Sequence, residues 1–335
     1  MIRLRLAATA LALALGLASA APAGAPSWGA HAALRAQVAE ARHAEDAFAW
    51  QRAGFAVAAA LAMAPDDPDL LVLRAMVRQA GHGFDAALAD LDRAILLAPG
   101  APQARLTRAF LRVTTGDLAG AGADCRALPA RAGRVVRTAC AARVLDAGGD
   151  PAAAARLLAP AAARAPASLR PWVHELMAAF TTRAGMVAAA RRHHAALAAL
   201  APGVERHAVA HAAFLRSVVE PEAALARVAA ATSDGGILER ALARRALGQD
   251  ASAEIAILDR RFARDAAEGG EAHLREAARF RLALMDDAEG AWALAQRNWA
   301  RQREPEDRAL LLETASAVGA ARHARQRSTR QRSTR

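Results

Sequence analysis

Lysine and tyrosine are absent from this sequence of 335 residues, aromatic residues make up only 4% of it, and it has only two cysteines. Because strands are rich in aromatic and β-branched residues, their scarcity argues against a β fold, whereas abundant alanine and leucine favour close-packed helices. After residue 20, charged residues interrupt every apolar stretch before it reaches the ~20 residues that a membrane-spanning helix needs. The composition predicts an all-α protein.

The positive charge is concentrated at the two ends of the chain. All 44 basic residues are arginine, and the net charge is +11. Eight of these arginines lie in end segments that contain no acidic residue: Arg3, Arg5, Arg322, Arg325, Arg327, Arg330, Arg332 and Arg335. Residues 21–319 therefore carry a net charge of only +3, so the body of the chain shows no basic excess of the kind that nucleic-acid binding requires.

The first twenty residues have the layout of a secretory signal peptide. Two arginines precede an apolar run, Leu6–Leu17, and a small-x-small site, Ala18–Ala20, follows it. We expect cleavage near Ala20 and a periplasmic or secreted protein, with an uncleaved anchor as the alternative. Residues 21–29, rich in Pro, Gly and Ala, are predicted to be a flexible linker.

The clearest pattern in the chain runs from Pro68 to Pro102. It contains two amphipathic helical segments that meet at Gly81–Gly83 and end at Pro99. Apolar residues of the second segment recur at spacings of three and four, which places them on one helical face: Phe84, Ala87, Leu88, Leu91, Ala94 and Ile95. One hairpin cannot bury both of its faces, so we expect it to pack against neighbouring hairpins.

Capping residues mark several of the predicted helix starts. Asp67 stands before Pro68, Asp150 before Pro151, and Ser168 ahead of Pro171. Such side chains accept hydrogen bonds from the first backbone N–H groups of a helix, and proline fits its first position.

The hairpin pattern returns after 34 residues, where Ala75 corresponds to Ala109, Phe84 to Leu118 and Asp90 to Asp124. Alanines continue at this spacing: Ala87, Ala121, Ala155, Ala189 and Ala223. Helix-breaking residues recur at similar intervals: Pro99, Gly133, Pro166, Pro202, Gly235-Gly236, Gly269-Gly270 and Pro305.

These features resemble the tetratricopeptide repeat (TPR) family, whose repeat is a 34-residue helix-turn-helix with small residues at helix crossings and a closing proline. Ala75, Phe84, Ala87, Ala94 and Pro99 stand at the matching positions. The resemblance implies a right-handed α-solenoid of stacked hairpins over residues 30–319, with the clearest repeats at 68–135. Residues 320–335, which contain the pentad QRSTR twice, are predicted to be a disordered arginine-rich tail.

In the TPR family, the first helices of the hairpins line a concave groove that holds a peptide or helix of a partner protein. The resemblance transfers this role to seven residues: Val72, Met76, Gln79, Leu106, Phe110, Val113 and His174. Most of them are apolar. The implied activity is therefore that of an interaction scaffold that binds an apolar or amphipathic segment of an envelope protein.

Cys125 and Cys140 are fifteen residues apart, in the second helix of one predicted hairpin and the first helix of the next. In an oxidising compartment such a pair can form a disulfide, and a loop of this length would stabilise the fold by ~3 kcal/mol. The alternative is two buried free thiols.

Histidines suggest a second class of function, a carrier of a metal or a small ligand. His207 and His211 are four residues apart on one predicted helix, and folding of the preceding hairpin would bring His194 close to them. Three imidazoles can bind zinc or nickel, but a solvated polar face is the simpler interpretation.

The sequence contains no phosphate-binding loop, GxSxG elbow, HExxH motif or paired-carboxylate constellation. We therefore expect neither an enzyme nor a cofactor. The arginine-rich tail can contact anionic envelope components by charge, but it offers nucleic acid no aromatic stacking platform.

Overall fold

The computed structural model of the protein describes residues 31–44, 47–270 and 273–333. Every regular element in this part of the chain is helical, and it contains no strand. None of the helices found there combines the length and the apolar character needed to cross a bilayer. The predicted signal peptide, 1–20, and linker, 21–29, lie outside the described residues.

The described residues form seventeen α-helices, which pair along the chain into hairpins. In order they are α1 (Ala32–Ala44), α2 (Ala47–Met63), α3 (Pro68–Ala80), α4 (Phe84–Leu97), α5 (Pro102–Thr115), α6 (Leu118–Arg126), α7 (Gly133–Ala147), α8 (Pro151–Ala162), α9 (Arg170–Arg183), α10 (Val187–Leu200), α11 (Glu205–Ser217), α12 (Pro221–Arg227), α13 (Asp234–Ala246), α14 (Ser252–Ala267), α15 (Leu274–Leu284), α16 (Ala288–Arg301) and α17 (Pro305–Ser333). The predicted fold class, an all-α solenoid of helical hairpins, is confirmed.

The chain divides into two compact units. Unit 1 comprises the residues up to Val113 together with Asp117–His207, and unit 2 comprises Thr114–Gly116 and the residues from Ala208 onward. In unit 1, buried alanines allow neighbouring helices to approach closely: Ala41, Ala53, Ala75, Ala87 and Ala94. Unit 2 is centred on larger buried side chains: Leu238, Leu258, Phe280 and Leu310.

The 34-residue alanine spacing holds for the first part of the chain only. Ala87, Ala121 and Ala155 are buried as predicted. Ala189 is only half-buried and Ala223 is exposed, and the core positions belong to the residues that follow them, Ala190 and Ala224. The repeat between α8 and α10 is thus one residue longer, and a shift of one residue turns a helical position by about 100°.

Local capping chemistry sets several of the helix starts. The Asp67 carboxylate accepts hydrogen bonds from the backbone N–H groups of Asp69 and Leu70, at 2.9 and 3.1 Å. Asp150 caps α8 in the same way, through the N–H of Ala153 at 2.8 Å. Ser168 makes no cap, because a turn of 3-10 helix covers residues 167–169 and α9 begins at Arg170 without a side-chain hydrogen bond.

Buried carboxylates join the two helices of several hairpins. Asp90 on α4 accepts hydrogen bonds from Arg74 and Arg78, one turn apart on α3, at 2.6 and 2.7 Å. The same arrangement recurs 34 residues later with Asp124, Arg108 and Arg112, and in unit 2 with Glu254, Arg240 and Arg244. Arginine suits these positions because its planar guanidinium can bind both oxygens of a carboxylate.

The two cysteines of the chain form a disulfide within unit 1. It joins Cys125 on α6 to Cys140 on α7, with the two Cα atoms 5.5 Å apart. Both side chains are buried. The bridge therefore ties the second helix of one hairpin to the first helix of the next.

The last helix is longer than the sequence predicted. We expected a disordered tail from residue 320, but α17 continues to Ser333. Alanine, arginine and glutamine, which dominate this segment, have high helix propensity, so a helix that has already formed can extend without apolar contacts.

Candidate functional site

Unit 1 contains a groove with a cavity volume of about 360 Å³. Its walls come from α1, α2, α3, α5 and α9, together with the turn after α3, so most of it is built by first helices of hairpins. The lining residues are Val38, Ala39, Arg42, Trp50, Met76, Gln79, Ala80, His82, Gln103, Leu106, Thr107, Phe110 and Trp172. Together these residues form the groove.

Large apolar side chains form the floor of the groove. The rings of Phe110 and Trp172 lie 6.1 Å apart and are tilted by 33°, a geometry in which aromatic pairs attract each other. Trp50 and Met76 extend this apolar surface. All three aromatic rings also pack against the hydrophobic core of unit 1, Trp50 on one cluster of buried residues and Phe110 and Trp172 on another.

Polar groups complete the lining. The Gln103 side-chain amide donates to the Thr107 hydroxyl at 3.1 Å, and Gln79 lies on the neighbouring helix α3. Arg42, at the end of α1, is exposed. The groove is therefore apolar with a few polar groups, which is the usual character of a binding site in a stable protein.

A second, much smaller cavity of about 10 Å³ adjoins the groove, because Arg42 and Trp172 line both. Its other lining residues are Ser168, Pro171, Glu175, Arg206 and His207. We call this set the polar cavity. All of its residues belong to unit 1.

Charges in the polar cavity are arranged around Glu175. Arg206 donates from Nε to Glu175 Oε1 at 3.2 Å and from Nη1 to the carbonyl oxygen of Arg42, also at 3.2 Å. The Nε2 atom of His207 lies 3.7 Å from the same Glu175 oxygen. Burial by itself raises the pKa of Glu175, but His207 and the cations Arg206 and Arg42 outweigh it and bring the pKa to about 2. Glu175 is therefore ionised throughout the physiological pH range.

Comparison with solved structures places this architecture among helical repeat proteins. The human IFIT1 dimer with m7Gppp-AAAA aligns with a TM-score of 0.56 and 13% identity, over 88% of this chain and 71% of that one. A monomeric IFIT1 mutant with m7Gppp-AAAA aligns with a TM-score of 0.57 and 14% identity, over 85% and 71%. Yeast Tom70 is also matched, with a TM-score of 0.43 and 12% identity, over 87% of this chain and 61% of that one. IFIT1 is a TPR-containing protein.

This chain has a TPR-like fold. No protein-family model matches its sequence. No curated protein matches it either. The TPR resemblance of the sequence and the similarity to solved structures agree on the fold.

The TPR-like structure brings four of the seven predicted groove residues together. Met76 and Gln79 on α3 and Leu106 and Phe110 on α5 all line the groove. Their common location follows from the spacing of three or four residues, which keeps side chains on one face of a helix.

The other three predicted groove residues lie elsewhere. Val72 and Val113 are core residues, with 2% and 0% of their surface exposed, and neither can reach a partner. Each of these two valines lies at one end of its predicted set, where the turn of the helix directs the side chain toward neighbouring helices. Val72 packs in the core around α1 to α4. Val113 packs against Ala121 and Ala147. His174 is absent from the groove lining and instead pairs with His193.

His174 on α9 and His193 on α10 form a side-chain pair. Their Nδ1 atoms are 3.0 Å apart, so one ring donates a hydrogen bond to the other. Burial, followed by the neighbouring His174 and Arg192, lowers the pKa of His193 to about 4. Burial and Arg170 lower the pKa of His174. Sequence reasoning missed this pair because its partners are on different helices.

The histidines that suggested a metal carrier do not form a ligand set. His194 contacts the Thr182 hydroxyl at 3.2 Å, His207 lies in the polar cavity, and His211 stacks on Phe214 with ring centroids 6.3 Å apart. In the described part of the chain, no three His, Cys, Asp or Glu side chains are grouped so that they could hold a metal ion. The metal-carrier alternative therefore has no support.

The sequence analysis did not identify Arg42, Glu175 and Arg206 as site residues. They are far apart along the chain and match no motif. The sequence offers one signal for this site: Glu175 is an isolated acidic residue between Trp172 and the arginine-rich segments that follow.

Proposed function

We propose that this protein is a TPR-type interaction scaffold that binds an apolar or amphipathic segment of a partner protein in the groove. The observation that carries the proposal is the accessible surface of Met76, Phe110, Trp50 and Trp172 around a cavity of about 360 Å³. Apolar concave surfaces of this size usually serve as binding sites, because exposing them to water is costly. The proposal includes no catalytic activity.

The type of partner follows from the charges around the groove. IFIT1 is solved with capped RNA, which makes nucleic acid the competing class of ligand. Arg42 is the only arginine among the residues that line the groove. Because nucleic-acid sites neutralise several phosphates, a largely apolar lining with one arginine favours a protein segment.

The test uses Phe110→Asp, which places a charge at the centre of the apolar floor. Purified wild type and variant are compared on an array of synthetic amphipathic peptides, with affinities measured by fluorescence anisotropy. We expect the variant to lose at least about 2 kcal/mol of binding free energy, as for a central aromatic anchor.

The matched control is Leu157→Asp, which introduces the same charge at an exposed leucine of unit 1 outside the groove. It should bind peptides as the wild type does. Circular dichroism must show the same helix content for all three proteins. Equal peptide binding by Phe110→Asp and the wild type would contradict the proposal.

We also propose that the protein is exported and works in the periplasm or outside the cell. The proposal rests on the signal-peptide layout of residues 1–20, and the Cys125–Cys140 disulfide supports it because such bonds persist in oxidising compartments. Intact-mass measurement of protein from the periplasmic fraction should show loss of residues 1–20. Ala20→Arg should block this processing, and an unprocessed wild-type protein in the cytoplasm would refute export.

A further inference from the structure

Helix α2 is apolar on two opposite sides. Arg52 is the only charged residue in Ala47–Met63. One side of the helix packs into the core of unit 1 through the buried residues Ala53, Val57 and Leu61. Because a helix that is apolar all round is normally buried on every side, the other side of α2 requires a partner of its own.

That other side is exposed. Phe55 and Met63 have 70% and 87% of their surface exposed, although both are large and apolar. The exposed residues follow one another at spacings of three and four, which keeps them on one side of the helix: Arg52, Phe55, Ala59 and Met63. Together they form the outer face of α2. Neither Phe55 nor Met63 lines the groove or the polar cavity.

Opposite charges stand at the two ends of the outer face. Arg52 lies toward its N-terminal end, and Asp66 is exposed three residues after α2 ends at Met63. Both hydrogen bonds that Asp66 accepts from Arg93 go to its Oδ1 atom, at 2.9 and 3.3 Å. A carboxylate has two acceptor oxygens, so the Oδ2 atom of Asp66 can accept from a second cation.

The outer face is symmetric about Ala59. Phe55 and Met63 are each four residues from this alanine, and Arg52 and Asp66 are each seven residues from it. When two copies of α2 lie antiparallel and cross at Ala59, Phe55 of each copy meets Met63 of the other. Arg52 of each copy then meets Asp66 of the other. The small side chain at the crossing lets the two helices approach closely.

We infer that the outer face of α2 is the interface of a homodimer, in which two copies of α2 pack antiparallel about a twofold axis at Ala59. A twofold interface presents the same patch on both subunits, and this patch supplies a partner for each of its own groups. It can bury about 600 Å² on each copy, or about 1,200 Å² in total, which is the lower limit for a stable specific interface.

Sedimentation velocity over a series of concentrations tests the inference. We expect a monomer–dimer equilibrium with a dissociation constant on the order of 10 µM, because the interface is small. Phe55→Asp should raise this constant at least about thirtyfold, as the loss of a central aromatic anchor does. The matched control is Leu157→Asp, at an exposed leucine of α8, and it should dimerise as the wild type does.

Charge reversal tests the antiparallel arrangement. Arg52→Asp brings two carboxylates together at each end of the dimer, and Asp66→Arg brings two guanidinium groups together. Each variant by itself should therefore dimerise about tenfold more weakly than the wild type. An equimolar mixture of the two variants should form heterodimers about as tightly as the wild type dimerises, because each copy supplies the charges that complement the other.

The remaining outcomes count against the inference. A wild-type protein that stays monomeric at every concentration overturns it, and so does a dimer that Phe55→Asp leaves intact. A mixture without heterodimers overturns the antiparallel arrangement. A monomer that binds phosphatidylglycerol vesicles through Phe55 overturns the dimer in favour of a bilayer surface. Since Phe55 lies outside the groove, peptide binding by Phe55→Asp should equal that of the wild type, and the groove proposal stands or falls separately.

Discussion

Single buried carboxylates hold much of this helical array together. Asp90 and Asp124 each bind two arginines of the preceding helix, and both lie at the same position of the 34-residue repeat. The 34-residue spacing singles out the two aspartates in the sequence, but it does not single out their arginine partners. The combination of two arginines four residues apart, with an acid twelve residues after the second, would have been a readable signal of this contact.

We predict that Asp124→Asn lowers the free energy of unfolding by about 3 kcal/mol, because it leaves Arg108 and Arg112 without their buried counter-charge. Asp124 is 2% exposed. Urea denaturation at neutral pH measures the loss as a lower midpoint with an unchanged slope.

Asp92→Asn is the matched control, since Asp92 binds the same Arg108 at 2.6 Å but its side chain is 58% exposed. It should cost less than about 1 kcal/mol, as exposed ion pairs do. Similar losses for both variants would show that burial does not determine the strength of these pairs.

Asp69, in the first turn of α3, makes a contribution to the free energy of unfolding that depends on pH. Burial and the charge of Asp67 raise its pKa to about 6, although His31 and Arg35 act against them. The folded protein therefore binds a proton between about pH 4 and pH 6 that the unfolded chain has released. This proton stabilises the folded protein fully below about pH 4, and the stabilisation is lost as the pH rises from about 4 to about 6.

We predict that Asp69→Asn is more stabilising at pH 7 than at pH 4, by on the order of 2 kcal/mol, because the amide is never charged. Thermal unfolding across this pH range measures the difference. Asp85→Asn, which changes an exposed aspartate at the corresponding position of α4, is the matched control. A pH-independent effect of Asp69→Asn would contradict the raised pKa.

At the scale of elements, the hairpin turns share one backbone feature. Most contain a residue with positive φ, and in four of them this residue is glycine: Gly116, Gly149, Gly185 and Gly248. Three others have a side chain there, at His82, Val219 and Asp286. Valine is the least suited to this conformation because of its branched Cβ.

We predict that Val219→Gly stabilises unit 2 by about 1 kcal/mol, since the side chain is 85% exposed and contributes little packing. The reciprocal change, Gly185→Val, should destabilise by a similar amount, although a Cβ at Gly185 would meet nothing within 4 Å. Urea denaturation measures both. A loss of stability in Val219→Gly would show that its side chain makes an important contact.

At the scale of the whole molecule, positive charge is concentrated in residues 320–335, which contain six arginines and no acidic residue. Among the residues of α17 up to 323, the buried ones all precede this segment: Pro305, Asp307, Leu310, Thr314 and Val318. Removal of residues 320–335 should therefore change the unfolding temperature little. The same removal should abolish binding to anionic vesicles, because each basic residue contributes about 1 kcal/mol there.

Sedimentation with phosphatidylglycerol vesicles tests this prediction, with phosphatidylcholine vesicles as the control. Binding of the protein that keeps residues 320–335 should fall as salt is raised. If the shortened chain binds equally well, the tail is not the membrane-contacting segment.

Local features of the sequence determined the class of fold, the hairpin boundaries and the caps at Asp67 and Asp150, because these depend on helical periodicity and on hydrogen bonds within one turn. The same periodicity placed Met76, Gln79, Leu106 and Phe110 on one surface. Only the tertiary structure decided that Val72 and Val113 are buried, that the alanine register slips after Ala155, and that Arg42, Glu175 and His207 meet beside the groove. These outcomes depend on how each helix is rotated against its neighbours, and that rotation is set by contacts between residues far apart in the chain.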